Sequence, residues 1–336
     1  MITNLNQLAM NLRQSRGFAH KRDIANVMML IDSTTTSESP FRNGDDCAVL
    51  PSPFGDGYLL LAVEGLVQDF VKTMPWFAGY SGVMANLSDI AAMGGRASAV
   101  VDALWASSWE NGAEIMAGIK SASERYGVPL VGGHTNLRSE QTQLAVSVLG
   151  YANKIISSFE AKEGDHLIVA IDLRGKWMDP YPFWNASTNA PTQRLRADIA
   201  LLPGLADDGL CQAGKDISMA GVLGTMLMML ECSGVGAQIE VDRIPVPHDQ
   251  IIDNAGWLRW LCAFPSFGYI LSVSPSNVET VRRRFIDRGI ACEDVGVVVP
   301  NHQLHLNAAG HTQDCLLWDL DVEPFIGVNT VSLSEA

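Results

Sequence analysis

The chain has few positive charges for its acidic content, and this deficit limits the partners that it can bind. It carries 23 Lys and Arg against 37 Asp and Glu, a formal net charge of −14. Because contacts to nucleic acid and to anionic membrane surfaces depend on Lys and Arg, we expect neither as the main partner. An anionic nucleotide would need Mg²⁺, local cations or helix N-termini in order to bind.

Closely spaced cysteines, a signal peptide and a membrane-length apolar run are also missing. No two of the 6 cysteines lie within a few residues of each other, which excludes a zinc or redox motif of the usual spacing. We therefore expect free, mostly buried thiols with no catalytic role. The longest apolar stretch, Ile217 to Leu230, is shorter than the roughly 20 residues of a membrane-spanning helix. The start Met1–Asn4 lacks the basic and apolar regions of a signal peptide, so a cytoplasmic protein is predicted.

What is present predicts a two-domain α+β protein. The 336 residues include 47% hydrophobic residues, enough for a large core. Predicted strands and helices mix without strict β-α-β repetition. A polar segment, 153–165, divides an N-terminal domain (1–152) from a C-terminal domain (153–330). The main predicted elements are strands Asp46–Leu50, Tyr58–Val63, Ala97–Leu104, Pro129–Val131, Gln143–Tyr151, His166–Ile171 and Gly268–Val273, and helices Trp76–Met93, Asn111–Tyr126, Ile217–Glu231 and Ser276–Arg288.

Four polar or acidic motifs lie where apolar runs meet turns or helices. They are Gly44-Asp45-Asp46, Leu87-Ser88-Asp89, Gly132-Gly133-His134-Thr135 and Lys215-Asp216-Ile217-Ser218. Asp89 lies inside an apolar helix, where an unpaired carboxylate is costly. Asp216 opens the predicted helix Ile217–Glu231, as its N-cap alone or as both N-cap and ligand. Mg²⁺ takes a few carboxylates and completes its coordination shell with phosphate and water, so the four motifs together predict a site for a divalent metal and a triphosphate.

The same motifs resemble the PurM-like superfamily. Its members include aminoimidazole ribonucleotide synthase, thiamine-monophosphate kinase, selenophosphate synthetase and the hydrogenase maturation protein HypE. The segment Asn86–Gly95 is most similar to thiamine-monophosphate kinase, whereas Lys215–Ser218, Ser233–Ala237 and Phe264–Gly268 are more similar to the AIR synthase-related proteins. The resemblance implies a PurM-like two-domain fold, in which the N-terminal sheet forms a dimeric barrel with a second subunit and the C-terminal domain is α+β.

The resemblance, together with the chemistry of the side chains in and beside the motifs, gives the expected site residues. Metal binding is expected from Asp45, Asp46, Glu64, Asp89 and Asp216. Nucleotide binding is expected from Asp89, Gly132, Gly133, His134, Arg138, Lys215 and Ser218.

Two positions depart from the family pattern. His134 stands where the family often has an acid; neutral imidazole is a poorer Mg²⁺ ligand, so we expect His134 to contact phosphate. Glu64 is the only acid near the position of a strand-end Asp in the kinases and synthases. It either replaces that Asp or corresponds to a neighbouring Glu of the kinases, and both interpretations stay open.

The predicted function is Mg²⁺-dependent use of ATP to phosphorylate or activate an oxygen of a small molecule, by a homodimer. Two alternatives are a true thiamine-monophosphate kinase and a non-catalytic nucleotide-binding regulatory subunit. Selenophosphate synthesis and carbamoyl transfer each need a thiol or selenol. Neither is expected, because Met1–Asp46 and the last residues, Val331–Ala336, contain no cysteine. The insertion Gly175–Gln193, rich in Trp, Pro and Asn, either lines the acceptor pocket or packs as a loop.

Overall fold

The computed structural model describes residues 2, 4–32, 41–247, 251 and 253–328. The helices are α1 Leu5–Arg13, α2 Arg16–Arg22, α3 Ile24–Asp32, α4 Gln68–Thr73, α5 Pro75–Ala92, α6 Trp109–Tyr126, α7 Thr192–Ile199, α8 Leu201–Asp207, α9 Gly221–Ser233, α10 Asn254–Leu261 and α11 Val278–Ile286, with a 3₁₀ turn at Val241–Arg243. The strands are β1 Ala48–Pro51, β2 Tyr58–Gly65, β3 Arg96–Trp105, β4 Leu130–Asn136, β5 Gln143–Ala152, β6 His166–Ile171, β7 Lys176–Met178, β8 Tyr181–Asn185, β9 Ala213–Asp216, β10 Gly236–Glu240, β11 Phe264–Pro265, β12 Gly268–Val273, β13 Ala291–Val299, β14 Gln303–Asn307 and β15 Cys315–Asp319. The predicted α+β class is confirmed.

Packing divides the chain into two compact units, each discontinuous in sequence. Unit 1 comprises Met1–Asp45, Ile156–Ala186 and Gly209–Ala336, and unit 2 comprises Asp46–Ile155 and Ser187–Asp208. The first residues belong to unit 1 because the apolar face of α1 is buried there, and the Arg13 guanidinium donates to the Leu317 carbonyl at 2.6 Å. The domain boundary predicted after residue 152 lies close to the boundary at Ile155. The prediction does not place Met1–Asp45 in unit 1 or Ser187–Asp208 in unit 2.

Unit 2 is built on one five-stranded sheet with the order β1-β2-β5-β3-β4. Strands β3 and β4 are parallel, and the other neighbours are antiparallel. Alternate residues of β5, namely Leu144, Val146 and Val148, are buried, as their spacing in the sequence predicts. The opposite face of the sheet exposes apolar side chains, listed along the strands as Leu61, Val63, Val101, Leu149 and Tyr151.

Helices α5 and α6 of unit 2 cross in close contact because glycines face backbone at the crossing. A Cβ built on Gly79 would lie 2.0 Å from the Ile115 carbonyl oxygen, and one on Gly118 would lie 2.0 Å from the Trp76 carbonyl oxygen. Pro75 occupies the first turn of α5, a position that tolerates a missing N–H. Nearly the whole of α5 is buried, which fits a helix that is apolar on all sides.

Unit 1 contains a seven-stranded sheet with the order β15-β14-β10-β13-β6-β12-β9. The pair β10–β14 is parallel and the others are antiparallel. The buried helix α9 belongs to the core of this unit. Strand β9 lies at one edge of the sheet and pairs with β12, so that Asp216 is opposite Tyr269.

The insertion Gly175–Gln193 is more regular than its composition suggests. Strands β7 and β8 form a small sheet with β11 inside unit 1. The rings of Trp177, Trp184 and Trp260 meet edge to face, with centroids 5.3 to 5.8 Å apart. The buried Trp184 indole donates to the Asp172 carbonyl at 3.0 Å, so these tryptophans pack β7 and β8 into unit 1, of which they are a part.

Two predicted element boundaries are wrong at motifs of the candidate site. The residues before Ile217 form strand β9, and helix α9 begins only at Gly221, so Asp216 does not cap it. Gly221 has φ +66°, and a Cβ there would lie 1.9 Å from the Leu261 carbonyl oxygen, which places a tight turn before the helix. Gly132 and Gly133 lie inside strand β4 rather than after it.

The cysteines and the helices agree with two simple sequence expectations. All six thiols are free, and all except Cys262 are buried. Burial raises the pKa of the Cys211 and Cys292 thiols to about 12, which disfavours the reactive thiolate. Within the described part of the chain, no helix combines the length and the apolar character needed to cross a bilayer.

Candidate metal and nucleotide site

Asp46 and Asp89 bring two carboxylates together in unit 2. Asp46 is half-buried and precedes β1, while Asp89 lies near the C-terminal end of α5 with 7% of its surface exposed. One carboxylate oxygen of each lies within 4.8 Å of the other. Two carboxylates at this separation repel when both are charged, unless a cation or a shared proton lies nearby. This arrangement has the oxygen chemistry that a hard divalent cation prefers.

The turn Gly44–Asp45 belongs to unit 1 and leads directly into Asp46. Gly44 has φ +125°, a conformation that side chains rarely adopt. The Asp45 carboxylate accepts hydrogen bonds from the Ser157 hydroxyl at 2.5 Å and from the Ser158 amide at 2.8 Å. Asp45 therefore ties its own turn to the segment after β5, in addition to any ligand role.

Lys215 is a buried lysine on strand β9 of unit 1. Its ammonium group donates to the Gly44 carbonyl at 3.5 Å and to the Ser158 hydroxyl at 3.4 Å, both long contacts. The predicted phosphate-binding lysine thus lies beside the turn that carries Asp45. Asp45 directly follows Gly44 in that turn, and Asp216 directly follows Lys215 on β9.

Asp216 and Ser218 follow Lys215 at the end of β9. Asp216 is buried, and the Ile217 amide donates to the Gly268 carbonyl at 2.9 Å. The Ser218 amide donates to the Thr225 hydroxyl at 3.3 Å, whereas the buried Ser218 hydroxyl has no hydrogen-bond partner among the described residues. A buried hydroxyl without a partner is costly, and a ligand oxygen would satisfy it.

Strand β4 places the two glycines of the third motif on opposite faces of the sheet of unit 2. Gly132 pairs with Val101 and Gly133 with Asp102. A Cβ on Gly133 would lie 2.4 Å from Oδ1 of Asp102, so only glycine fits beside this carboxylate. The backbone N–H groups predicted to bind phosphate therefore belong to an edge strand and not to a loop.

Asp102 is a buried acid that lies outside the four sequence motifs. It is 8% exposed on the helix-covered face of β3, and its Oδ2 has no hydrogen-bond partner among the described residues. Burial raises the pKa of Asp102, while a hydrogen bond from its own backbone amide opposes the shift. The sequence indicates such a residue, because Asp102 is a single acid inside the apolar run Ala99–Leu104. Asp89 was identified by the same pattern.

The remaining predicted residues, His134, Arg138 and Glu64, lie on strands of the same sheet or just after β4. The imidazole of His134 is exposed and packs against the ring of Trp105 at 5.8 Å, on the face opposite to Asp102. Arg138 is exposed after β4, and its amide donates to the Asn136 side chain at 2.9 Å. Glu64 is the register partner of Val146, which places it on the helix-covered face of β2.

Comparison with known proteins identifies the family. The family model described as AIR synthase related protein, N-terminal domain, matches residues 44–152. The corresponding C-terminal domain model matches residues 175–308. The two matches together include every predicted site residue.

Curated relatives extend over most of the chain. An uncharacterized protein of Synechocystis is 42% identical over 325 residues, 96% of this chain and 98% of the relative. A thiamine-monophosphate kinase of Synechococcus elongatus is 30% identical over 260 residues, 70% of this chain and 77% of the kinase.

Solved structures with low sequence identity share the fold. PurL of T. maritima, solved with ATP, matches 95% of this chain with a TM-score of 0.71 at 16% identity, and the chain spans about half, 51%, of that protein. AaThiL, solved with AMPPCP and TMP, matches 87% of this chain and 96% of its own length with a TM-score of 0.65 at 18% identity. The predicted PurM-like two-domain fold is thereby confirmed.

Proposed function

The chain belongs to the AIR synthase-related family, and from this premise we propose that it binds ATP together with Mg²⁺ and uses it to phosphorylate or activate an oxygen of a small molecule. Relatives named as thiamine-monophosphate kinases support phosphoryl transfer as the reaction class. A structural neighbour solved with ATP supports the nucleotide.

The observation that carries the proposal is the approach of the Asp46 and Asp89 carboxylates. Their oxygens lie within 4.8 Å of each other, and Asp89 is buried in an apolar helix. Mg²⁺ bound there would supply charge neutralisation for the phosphate oxygens, which is the main requirement of phosphoryl transfer. Asp89 is carried by α5, which is fixed by its nearly complete burial, so the two side chains would hold such an ion without a large rearrangement of that helix.

Residues of unit 1 extend the proposal. The Ser218 hydroxyl, which lacks a partner among the described residues, is suited to donate to a phosphate oxygen. Lys215 adds a positive charge at the end of β9, and Asp45 and Asp216 remain proposed metal ligands on the basis of the sequence resemblance. Among the described residues no side chain is assigned as general base.

The proposal is tested by titrating ATP and Mg²⁺ into the full chain by calorimetry. Asp46→Asn and Asp89→Asn should each weaken Mg²⁺-dependent ATP binding by about tenfold or more, about 1.4 kcal/mol, because each removes a charge from the metal site. Asp56→Asn is the matched control, since it makes the same change at an exposed turn of unit 2. Unchanged affinity in both site variants would refute the proposal.

A second candidate, thiamine-monophosphate kinase, is favoured by the relative from Synechococcus elongatus that covers 70% of this chain. The test is turnover of thiamine monophosphate with ATP. Formation of ADP and a phosphorylated product that depends on Asp89 would assign this substrate. Tight MgATP binding without turnover over a broad panel of metabolites would instead support a nucleotide-binding regulatory role.

We also propose that the protein is a homodimer joined through the five-stranded sheet of unit 2. The support is the apolar face of that sheet, where Val63 of β2 is 69% exposed and Leu61 of the same strand, Leu149 of β5 and Val101 of β3 are exposed as well. Apolar patches of this kind on a sheet mark interaction surfaces. A second copy would cover its own equivalent face, as a two-fold interface requires.

A further inference from the structure

Glu231 is a buried acid of unit 1 that the proposed chemistry does not use. It lies in the last turn of α9 with 5% of its surface exposed. Its two carboxylate oxygens accept backbone hydrogen bonds from Phe325 at 3.1 Å, Ile326 at 2.6 Å and Gly327 at 3.0 Å. One side chain therefore fixes three successive peptide groups of the segment Phe325–Val328, here named the C-terminal strap.

The strap depends on this acid for its conformation. Successive N–H groups that converge on one anion form a concave backbone arrangement, which is favourable only while the anion is present. Gly327 has φ +74°, so the chain turns sharply at that point. Burial raises the pKa of Glu231, while the strap N–H groups oppose that shift. Without the carboxylate, two buried N–H groups and the partly buried N–H of Gly327 would lose their acceptor.

The strap reaches the turn that precedes Asp46. A Cβ built on Gly44 would lie 3.0 Å from Cγ2 of Val328 and 3.3 Å from the ring of Phe159, so the Val328 methyl group packs directly beneath the Gly44 backbone. Gly44 has no side chain of its own, so these neighbours pack directly against its backbone. The strap therefore packs against one side of the Gly44–Asp45 turn.

The two residues after Glu231 contact the same region. The Cys232 thiol lies 3.8 Å from the Gly44 carbonyl, and the Ser233 hydroxyl donates to the Ser158 carbonyl at 2.7 Å. Ser158 in turn donates its amide to Asp45. Three consecutive residues at the end of α9 therefore hold the strap, the Gly44 turn and the segment that binds Asp45.

We infer that Glu231 is a positioning residue for the Gly44–Asp45 turn: its carboxylate fixes the strap, the strap supports Gly44, and the turn carries Asp45 and is joined by the next peptide bond to Asp46. The inferred effect on metal and nucleotide binding rests on the proposed function, whereas the effect on the turn itself does not. A residue that served only to close the end of α9 would stabilise unit 1 without influencing this turn.

The first test measures backbone protection without any ligand, by hydrogen exchange on the full chain. In Glu231→Gln and Val328→Ala, amides of Gly44 to Cys47 should exchange about tenfold faster than in the unmodified protein. Val328→Ala leaves Glu231 and its three hydrogen bonds in place, so it tests the strap contact even if Glu231→Gln folds poorly. Phe285→Leu, a core change in α11 of the same unit, is the control for general destabilisation.

The second test measures the Mg²⁺ concentration that gives half-saturation of ATP binding. It should rise about fivefold in Glu231→Gln and Val328→Ala, and Phe285→Leu should leave it unchanged. Faster exchange confined to the strap, with Gly44–Cys47 unaffected in both variants, would overturn the inference. If the unmodified chain binds no MgATP but the exchange of the turn responds as expected, the proposed function fails and the positioning role of Glu231 stands.

Discussion

The two faces of the sheet in unit 2 differ in what covers them. On one face, Leu60, Val100, Val146 and Leu104 are completely buried beneath the helices. On the other face, apolar side chains of the same strands are largely open to solvent. A strand that alternates in this way needs only one covered face to be stable, so the apolar residues of the open face are not explained by the folding of a single chain.

The covered side of unit 2 contains two buried acids with different neighbours. Asp89 and Asp102 both lie on the covered side, within apolar surroundings that make charge costly. Asp89 has the Asp46 carboxylate nearby, whereas Asp102 faces Gly133 of the edge strand. Burial alone therefore does not distinguish Asp89, which has a proposed metal role, from Asp102, which has none. The groups next to each carboxylate distinguish them.

The largest effect is expected from breaking the covered side at the α5–α6 crossing. Gly118→Ala should lower the free energy of unfolding by about 3 kcal/mol, because the new Cβ would meet backbone that cannot move independently. Gly65→Ala is the matched control, since nothing lies within 4 Å of a Cβ built there. Chemical denaturation monitored by circular dichroism measures both, and equal stability of the two variants would contradict the glycine-mediated crossing.

A substitution on the open face should affect stability less than Gly118→Ala does, but it should affect dimerisation strongly. Val63→Lys should weaken dimerisation at least tenfold, about 1.4 kcal/mol, because a second copy would have to bury the added charge. Val322→Lys makes the same change at a residue of unit 1 that is 80% exposed and should leave assembly unchanged. Light scattering over a concentration series decides between them, and a monomer in the unmodified protein would contradict the dimer outright.

The smallest effect is expected at Asp102 and depends on pH. The pKa of Asp102 is raised in the folded state, so its stabilising contribution is complete below the unfolded value near 3.8 and is lost as pH rises through the folded pKa. Asp102→Asn should therefore raise the free energy of unfolding by about 1 kcal/mol at pH 8 and change it little at pH 3.5. Equal changes at both pH values would show that ionisation of Asp102 is not involved.

Periodicity predicted much of the fold, and the reason is visible in α5 and β5. Both carry long patterns of apolar residues, so the helix that contains Asp89 and the strand that contains Val146 lie close to their predicted positions. Asp216 was misplaced because the apolar run after it matches a helix, while the turn at Gly221 depends on the distant Leu261 carbonyl. Asp45 could be recognised as part of a motif, but its bonds to Ser157 and Ser158 could not be predicted from local sequence.

Unit 1 is built from segments that are far apart in the sequence, and this has a consequence for folding during synthesis on the ribosome. Arg13 of α1 donates to a carbonyl 304 residues later, and the buried leucines of α1 belong to the same unit as that carbonyl. At a synthesis rate of about 5–20 residues per second, about 15 to 60 seconds pass between the synthesis of α1 and that of its partner strand β15. Unit 2 is complete once Asp208 has emerged, so it can fold before unit 1 does, while the apolar face of α1 remains available to a chaperone.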